Sequence, residues 1–149
     1  MLMSDIAIKP VKVAFKETTI HEAAAIMRSA HVGSLVVVEK ARNGMIPIGI
    51  VTDRDIVVEV IAEGVSPQKL CVGDIMSTDL ITIEETMGVH EVVSVMEITG
   101  LRRLPVVDGS GILTGIITSD DVMEHVANFA NSLSRVSRKQ QIFEKELRK

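Results

Sequence analysis

Two stretches of the chain place a threonine and an aspartate at the same spacing, in the order Gly-x-x-Thr-x-x-Asp. They are Gly49–Asp55 and Gly115–Asp121. In each, apolar residues lead to the threonine and a helix start follows it, so the hydroxyl and the carboxylate share one rim. A carboxylate there can accept hydrogen bonds from two vicinal hydroxyls, as in a sugar diol. The free amides of the helix start also suit an anion.

These four side chains have a purely structural interpretation as well. Thr52 and Thr118 can act as N-caps of the helices that follow them. Asp55 and Asp121 are then first-turn acids that interact favourably with the helix dipole. Capping and ligand binding can coexist, so the sequence leaves both roles open.

Other chemically capable residues give weaker predictions. Neighbouring helical residues point about 100° apart, so neither His21 with Glu22 nor His90 with Glu91 can chelate one ion together. We expect these residues to be exposed in the first turns of their helices. Asp53–Asp55 and Asp120–Asp121 could hold Mg²⁺ through the phosphates of a ligand, without a dedicated protein cage. We interpret Cys71 as buried filler. No Gly-x-Ser-x-Gly, Gly-x-x-x-x-Gly-Lys or His-Glu-x-x-His motif occurs, so nothing here predicts an enzyme.

The chain repeats itself, which explains why the heptapeptide occurs twice. A shift of 69 residues pairs identical residues across the two halves, and a shift of 66 then pairs Gly49–Thr52 with Gly115–Thr118. The identical pairs under the first shift include Asp5 with Asp74, His21 with His90, Met27 with Met96 and Leu35 with Leu104. Agreement in both identity and order indicates a tandem duplication.

Each copy predicts the same elements in the order β-α-β-β-α. A short extended stretch leads to a helix with apolar residues at helical spacing, and Thr19–Glu22 has the form of a capping box. Two apolar strands follow, separated by turn residues, and a second helix begins near Asp53 or Ser119. A unit of about 60 residues buries little apolar surface alone. We therefore predict one α/β (α+β) module in which the copies pack about a pseudo-twofold axis.

The residues at the start of the second copy and on its middle strand resemble those of a known family. Val72–Met76 opens that copy, Arg102–Asp108 lies on its middle strand, and the heptapeptide ends the third strand of both copies. The pattern resembles a tandem pair of CBS domains, the regulatory Bateman module, over residues 1 to about 125. We predict CBS repeats at residues 1–63 and 72–127, a linker at 64–71, and a helical extension at 128–149.

The resemblance implies a ligand and the residues that bind it. Family members commonly hold the ribose of an adenosine ligand with Thr and Asp at the positions of Thr52, Asp55, Thr118 and Asp121. The adenine usually lies between aliphatic side chains, although Ile50 and Ile116 could also be plain core residues. By position, the two adenine slots would be lined by Ile50, Leu80 and Ile81, and by Ile116, Val11 and Lys12.

A pair of arginines distinguishes the two copies. Arg102 and Arg103 precede the middle strand of the second copy, where family members often carry phosphate-binding His or Arg, and guanidinium groups match phosphate oxygens. The equivalent residues, Gly33 and Ser34, carry no charge. We expect the site built on Thr118 to take the more highly charged ligand. The alternative is that the arginines pair with surface carboxylates.

Composition excludes several other functions. The net charge of −4 divides into −8 over residues 1–125 and +4 over residues 126–149. The acidic body disfavours nucleic-acid binding, and three Phe without Tyr or Trp disfavour single-strand binding by stacking. No apolar run could span a bilayer. A single cysteine and an N-terminus without a leader pattern favour a cytoplasmic location.

The C-terminal residues follow a heptad pattern. We predict one helix from about Ser119 to the end, whose apolar face docks on its own module or pairs with another subunit. Positions that alternate in steps of four and three are Val122, Val126, Phe129, Leu133, Val136, Gln140, Phe143 and Leu147.

Together these features predict a regulatory protein rather than an enzyme. It would bind an adenosine-containing nucleotide of the AMP, ADP and ATP class, need no other cofactor apart from Mg²⁺ carried with that ligand, and signal to an unidentified downstream protein. The family commonly forms flat dimers, which implies a homodimer. Two alternatives stay open: an adaptor that binds protein or nucleic acid through the basic tail, and an enzyme with an unrecognised site.

Overall fold

Each repeat folds into the strand, helix, strand pair and second helix that the sequence predicts. The computed structural model describes all 149 residues. In the first repeat, a π-helical turn at Val57–Ile61 continues α3. The elements are α1 (Met3–Ile6), β1 (Val13–Ala14), α2 (Ile20–Ala30), β2 (Ser34–Ala41), β3 (Gly44–Thr52), α3 (Asp53–Ile56), α4 (Val72–Ile75), β4 (Ile83–Glu84), α5 (Val89–Thr99), β5 (Arg103–Val107), β6 (Leu113–Thr118) and α6 (Ser119–Leu147).

The two halves contain equivalent three-stranded sheets. In the first, β1 runs parallel to β2, and β2 runs antiparallel to β3. In the second, β4, β5 and β6 repeat this arrangement. Both antiparallel pairs contain an irregularity at the same place, after Val37 and after Val106. The predicted α+β duplication is therefore confirmed.

Helix α2 begins as the sequence predicts. The Thr19 hydroxyl accepts a hydrogen bond from the Glu22 amide at 3.1 Å, and the Glu22 carboxylate accepts one from the Thr19 amide at 3.0 Å. These two bonds satisfy amides that a helix start otherwise leaves without partners. The predicted capping box is therefore present.

Two separate hydrophobic cores form, one for each sheet. The apolar faces of α2 and α5 cover the sheets, and the buried and half-buried residues of these faces recur at helical spacing. The first core contains Ala14, Ile20, Ala23, Met27, Leu35, Val37, Val51, Ile56, Val60 and Val72. The second core contains Met3, Ile83, Val92, Leu104, Val106, Ile117 and Val122.

Each core is completed by a short helix from the other repeat. Met3 on α1 is fully buried in the second core, and its amide donates to the Met87 carbonyl at 3.0 Å. Val72 on α4 is fully buried in the first core, and its amide donates to the Thr18 carbonyl at 2.7 Å. The sequence did not predict α1 or α4. The repeats are thus joined by an exchange of their opening segments.

The glycines of the two heptapeptides let these opening segments approach the third strands. A Cβ atom at Gly49 would lie 2.6 Å from the Ser77 carbonyl oxygen, and one at Gly115 would lie 2.9 Å from Cβ of Ala7. Both distances are shorter than a van der Waals contact. Glycine is therefore required at these positions by close backbone approach.

Helix α6 extends away from the body of the module. It runs without interruption from the Thr118 cap to Leu147, as predicted. Val122 is its one buried residue, and every residue after His125 is exposed. The apolar face of the extension therefore does not dock on its own module. No helix in the fold has both the length and the apolar character that crossing a membrane requires.

The exchange predicts that a residue near the N-terminus stabilises the distant second repeat. We expect Met3→Ala to lower the free energy of unfolding by about 2–5 kcal/mol, because it leaves a cavity in that core. Urea unfolding followed by circular dichroism measures the change. Leu2→Ala, at a neighbouring side chain that is 43% exposed, is the control. An equal, small effect of both substitutions would contradict the exchange.

Candidate functional site

The threonine and aspartate of each heptapeptide form a capping box. The Thr52 hydroxyl accepts from the Asp55 amide at 3.1 Å, and Oδ2 of Asp55 accepts from the Thr52 amide at 2.8 Å. In the second repeat the equivalent distances are 3.1 and 3.0 Å, and the Thr118 hydroxyl also donates to Oδ2 of Asp121 at 2.6 Å. The structural role that the sequence left open is therefore real in both repeats.

Capping leaves part of each carboxylate available. The capping bonds that the carboxylates accept all end on Oδ2, and Oδ1 of Asp55 and of Asp121 accepts no hydrogen bond from the protein. Both aspartates are half-buried. Each carboxylate is therefore held in a fixed orientation with one oxygen free to accept from a ligand hydroxyl.

The first heptapeptide lies on a cleft between the two repeats, with a volume of about 210 Å³. Its first-repeat side is formed by the end of β3 and the start of α3. Its second-repeat side is formed by the segment before β4 and the residues at the start of β5. The lining residues are Ile50, Thr52, Asp55, Ser77, Asp79, Leu80, Ile81, Leu101, Arg102 and Arg103.

A second cleft, of about 220 Å³, repeats this construction with the two halves interchanged. Thr118 lies on its rim, whereas Asp121 reaches it only through its hydrogen bonds to Thr118. The lining residues are Ile8, Pro10, Val11, Lys12, Val32, Gly33, Ser34, Arg103, Ile116 and Thr118.

Backbone hydrogen bonds between the repeats fix both clefts. The amides and carbonyls of Ile50 and Ser77 pair reciprocally, at 3.3 and 2.9 Å. Ile8 and Ile116 pair in the same way, at 2.8 and 3.2 Å. Each pair adds an antiparallel bridge to the edge of a third strand. The clefts therefore share the same backbone framework.

The structure places Arg103 on the cleft of Thr118, as the sequence predicts, but Arg102 lies only on the other cleft. The sequence assigned Arg102 and Arg103 to the site of Thr118, because all three belong to the second repeat. Each cleft instead combines a heptapeptide from one repeat with strand-start residues from the other. Both arginines therefore lie on the cleft of Thr52 and Asp55.

The two arginines have different surroundings. Arg102 forms an ion pair with Asp120 at 3.2 Å, with its side chain 71% exposed, so the alternative of a surface carboxylate partner applies to it. Arg103 forms no ion pair with the protein and lines both clefts. Gly33 lies beside it: a Cβ atom there would be 3.4 Å from Nη2 of Arg103. The uncharged Gly33–Ser34 pair thus lets Arg103 reach the second cleft.

Several lining side chains were not predicted, although we expected the backbone of residues 76–82 to contribute to the first cleft. Ser77, Asp79 and Leu101 lie on the first cleft, and Ile8, Pro10, Val32, Gly33 and Ser34 lie on the second. The 69-residue shift pairs most of them with one another, for example Ile8 with Ser77 and Val32 with Leu101. The repeat itself was therefore the signal that could have found them.

The histidines and the cysteine form no metal centre. His21 and His90 are exposed on helices, as expected for first-turn residues. Cys71 is half-buried at the start of α4, where its amide donates to Asp74. The fold brings no three side chains of His, Cys, Asp or Glu into a group that could hold a metal ion.

Comparison with known proteins matches these features to one family. The family model for the CBS domain matches residues 3–62 and 72–128. An uncharacterized protein from Methanopyrus kandleri is 44% identical over 103 residues, which cover 69% of this chain and 51% of that protein. The CBS domain-containing protein YhcV of Bacillus subtilis is 36% identical, over 70% of each chain.

Solved structures lead to the same family. The CBS domain pair of protein MJ0100, in complex with 5′-methylthioadenosine and S-adenosyl-L-methionine, is 30% identical with a TM-score of 0.74. That match covers 86% of this chain and 97% of the other. The duplicated fold, the cross-repeat clefts and the family match agree: the chain belongs to the CBS domain family, as a tandem pair of CBS repeats.

Proposed function

We propose that the chain is a regulatory module that binds adenosine-containing nucleotides, of the AMP, ADP and ATP class, in its two clefts. The composition of each cleft carries the proposal. In the first cleft a threonine–aspartate pair from one repeat faces aliphatic side chains from the other; in the second, Thr118 lies on the rim and Asp121 is hydrogen-bonded to it. Each cleft thus offers a polar rim for a ribose and an apolar slot for a base. The complex of the related CBS domain pair with two adenosine compounds supports this ligand class.

The ribose would bind at the capped helix starts. Oδ1 of Asp55 accepts no bond from the protein, and the capping bonds hold the carboxylate in place. A carboxylate can accept from both hydroxyls of a ribose without losing the bonds that orient it. Asp121 would act in the same way in the second cleft, beside Thr118.

The base would lie between aliphatic side chains. Ile50 on β3 faces Leu80 and Ile81 across the first cleft, and the three are partly exposed rather than sealed in the core. Ile116, Val11 and Lys12 take the equivalent places in the second cleft. Apolar contact of this kind needs no aromatic side chain, which fits a chain that has only three Phe.

Phosphate groups would distinguish the two clefts. The first cleft contains Arg102 and Arg103, whereas the second has only Arg103 in common with it, together with Lys12. Each cleft thus has two basic side chains, but the first also has two carboxylates, Asp55 and Asp79, so we assign the more highly phosphorylated ligand to the cleft of Thr118. Mg²⁺, where present, would arrive bound to the phosphates, since the protein itself offers no cage.

The regulatory signal would be a change in the relative orientation of the two repeats. A ligand that contacts both repeats favours the relative orientation in which its cleft is complementary, and its differential affinity sets the size of the switch. No reaction is assigned to the clefts. We take residues 1–63 and 72–127 as the two functional repeats, joined by 64–71 and followed by the extension at 128–149.

We further propose that the module works as a homodimer that a downstream protein recognises, inside the cytoplasm. Exposed apolar side chains on the helical faces support self-association, because monomers rarely leave such residues clustered in water. They include Val57, Ile61, Ile98 and Met123.

Removing the negative charge from the ribose site should weaken binding. Asp55→Asn retains an oxygen to accept from the Thr52 amide, so the helix cap survives. We expect the affinity of the first cleft for AMP to fall about tenfold or more, since hydrogen bonds to charged groups contribute about 1.5–3 kcal/mol. Isothermal titration calorimetry gives the affinity and the number of sites.

The matched control is Asp5→Asn. Asp5 also accepts a backbone amide at a helix start, from Leu2 at 2.9 Å, but lies outside both clefts. It should leave AMP binding unchanged. Unaltered affinity in Asp55→Asn, with a normal circular dichroism spectrum, would refute the ribose assignment.

Substitution of the arginines should affect the binding of a phosphorylated ligand but not that of an unphosphorylated one. Arg103→Ala should lower AMP affinity at both clefts and leave adenosine affinity unchanged, because Arg103 lines both and would contact phosphate only. Arg102→Ala should have a smaller effect, confined to the first cleft, because Arg102 already pairs with Asp120. Calorimetry with both ligands measures these changes. Equal losses for AMP and adenosine would argue against a phosphate contact.

A further inference from the structure

We propose that helix α6 pairs in parallel with α6 of a second copy of this chain, as a two-stranded coiled coil. The contact surface would be a set of positions on one side of the extension, which we call the α6 stripe. It consists of Val126, Phe129, Leu133, Val136, Gln140, Phe143 and Leu147.

The α6 stripe is unpartnered within the chain. Its apolar residues from Val126 to Phe143 are between 50% and 62% exposed, and Leu147 is 86% exposed. A helix that leaves the body gains no stability from tertiary packing and is only marginally stable in water. A regular row of large apolar side chains along such a helix indicates a partner that covers it.

The spacing selects another helix as that partner. The stripe residues alternate in steps of three and four, which keeps them on one seam of a left-handed supercoil over three heptads. The stripe also continues onto the body at its base. There Val126 joins Val93, Leu101 and Val122 around an apolar groove of about 520 Å³ between α5 and α6.

The residues that flank the stripe favour a second copy in parallel orientation. The stripe residues occupy positions a and d of the heptads. In a parallel coiled coil, the g position of one heptad lies opposite the e position of the following heptad on the partner helix. Lys139 is at such a g position and Glu144 is at the e position that follows it. Each Lys139 therefore faces Glu144 of the second copy, which gives two oppositely charged contacts by symmetry. The corresponding positions nearer the body, Ser132 and Ser137, carry no charge and cause no repulsion.

The polar residue in the stripe supports the same orientation. Parallel pairing places Gln140 beside Gln140 of the second copy, where the two amides can hydrogen-bond each other. Antiparallel pairing would place Gln140 against an apolar side chain and leave its amide without a partner, at a cost in free energy. The basic residues Arg135, Arg138 and Lys145 lie off the stripe and stay in solvent.

Disulfide formation between identical positions tests the parallel arrangement in the full-length chain. Cys71→Ser first removes the native thiol, and Gln140→Cys then places one thiol on the stripe. Parallel pairing brings the two Gln140 positions within the Cα separation of about 4.4–6.8 Å that a disulfide spans. We expect rapid formation of a covalent dimer under mild oxidation. Arg138→Cys, in the same background, points away from the seam and should cross-link at least about tenfold more slowly.

A pair of charge substitutions tests whether the stripe drives the contact. Leu133 lies on the stripe and Ile142 lies off it, and both are 55% exposed. In the Gln140→Cys chain, Leu133→Glu should suppress cross-linking at least about tenfold because it buries charge in the seam, whereas Ile142→Glu should not. Equal cross-linking at positions 138 and 140, or equal effects of the two glutamates, would overturn the proposal.

Light scattering separates this contact from dimerisation through the body. A dimeric mass without cross-linking at position 140 would mean that the module pairs elsewhere and that a different molecule covers the stripe, which refutes the proposal. Nucleotide binding does not enter any of these measurements, so the proposed ligand function can fail or succeed independently.

Discussion

The structure depends on an exchange of opening segments between two small repeats. Neither core is complete without a helix from the other half: Met3 fills the second core and Val72 fills the first. A repeat of about 60 residues cannot bury enough apolar surface alone, so this exchange supplies what each half lacks. It also brings the segment after each exchanged helix against the third strand of the other repeat, at Gly49 and Gly115.

The clefts are a direct consequence of that exchange. Each is composite, with the capping threonine of one repeat and aliphatic and strand-start residues from the other. The framework is therefore symmetric, while the side chains are free to differ. Arg102 and Asp79 line only the first cleft, and their uncharged counterparts Gly33 and Pro10 line only the second. A duplicated fold has in this way acquired two clefts with different linings.

Much of this architecture could be predicted from local patterns in the sequence. The shift that pairs Asp5 with Asp74 needs only a comparison of the sequence with itself, and the capping residues at Thr19 and the heptad spacing of α6 depend on neighbouring residues alone. Helices α1 and α4 could not be found in this way, since four residues are too few to show a helical period. The placement of Arg102 failed for another reason: it depends on which halves meet across the cleft, which is a tertiary contact that no single repeat encodes.

The central claim is that the two helix starts bind the diol of a ribose. Backbone amide resonances of Thr52, Asp55, Thr118 and Asp121 report this contact directly during titration with adenosine and with 2′,3′-dideoxyadenosine, which lacks the diol. The account predicts saturable shifts at these amides with adenosine, and much weaker binding of the dideoxy compound because the carboxylates lose their hydrogen-bond donors. Equal shifts and equal affinities for the two compounds would contradict it.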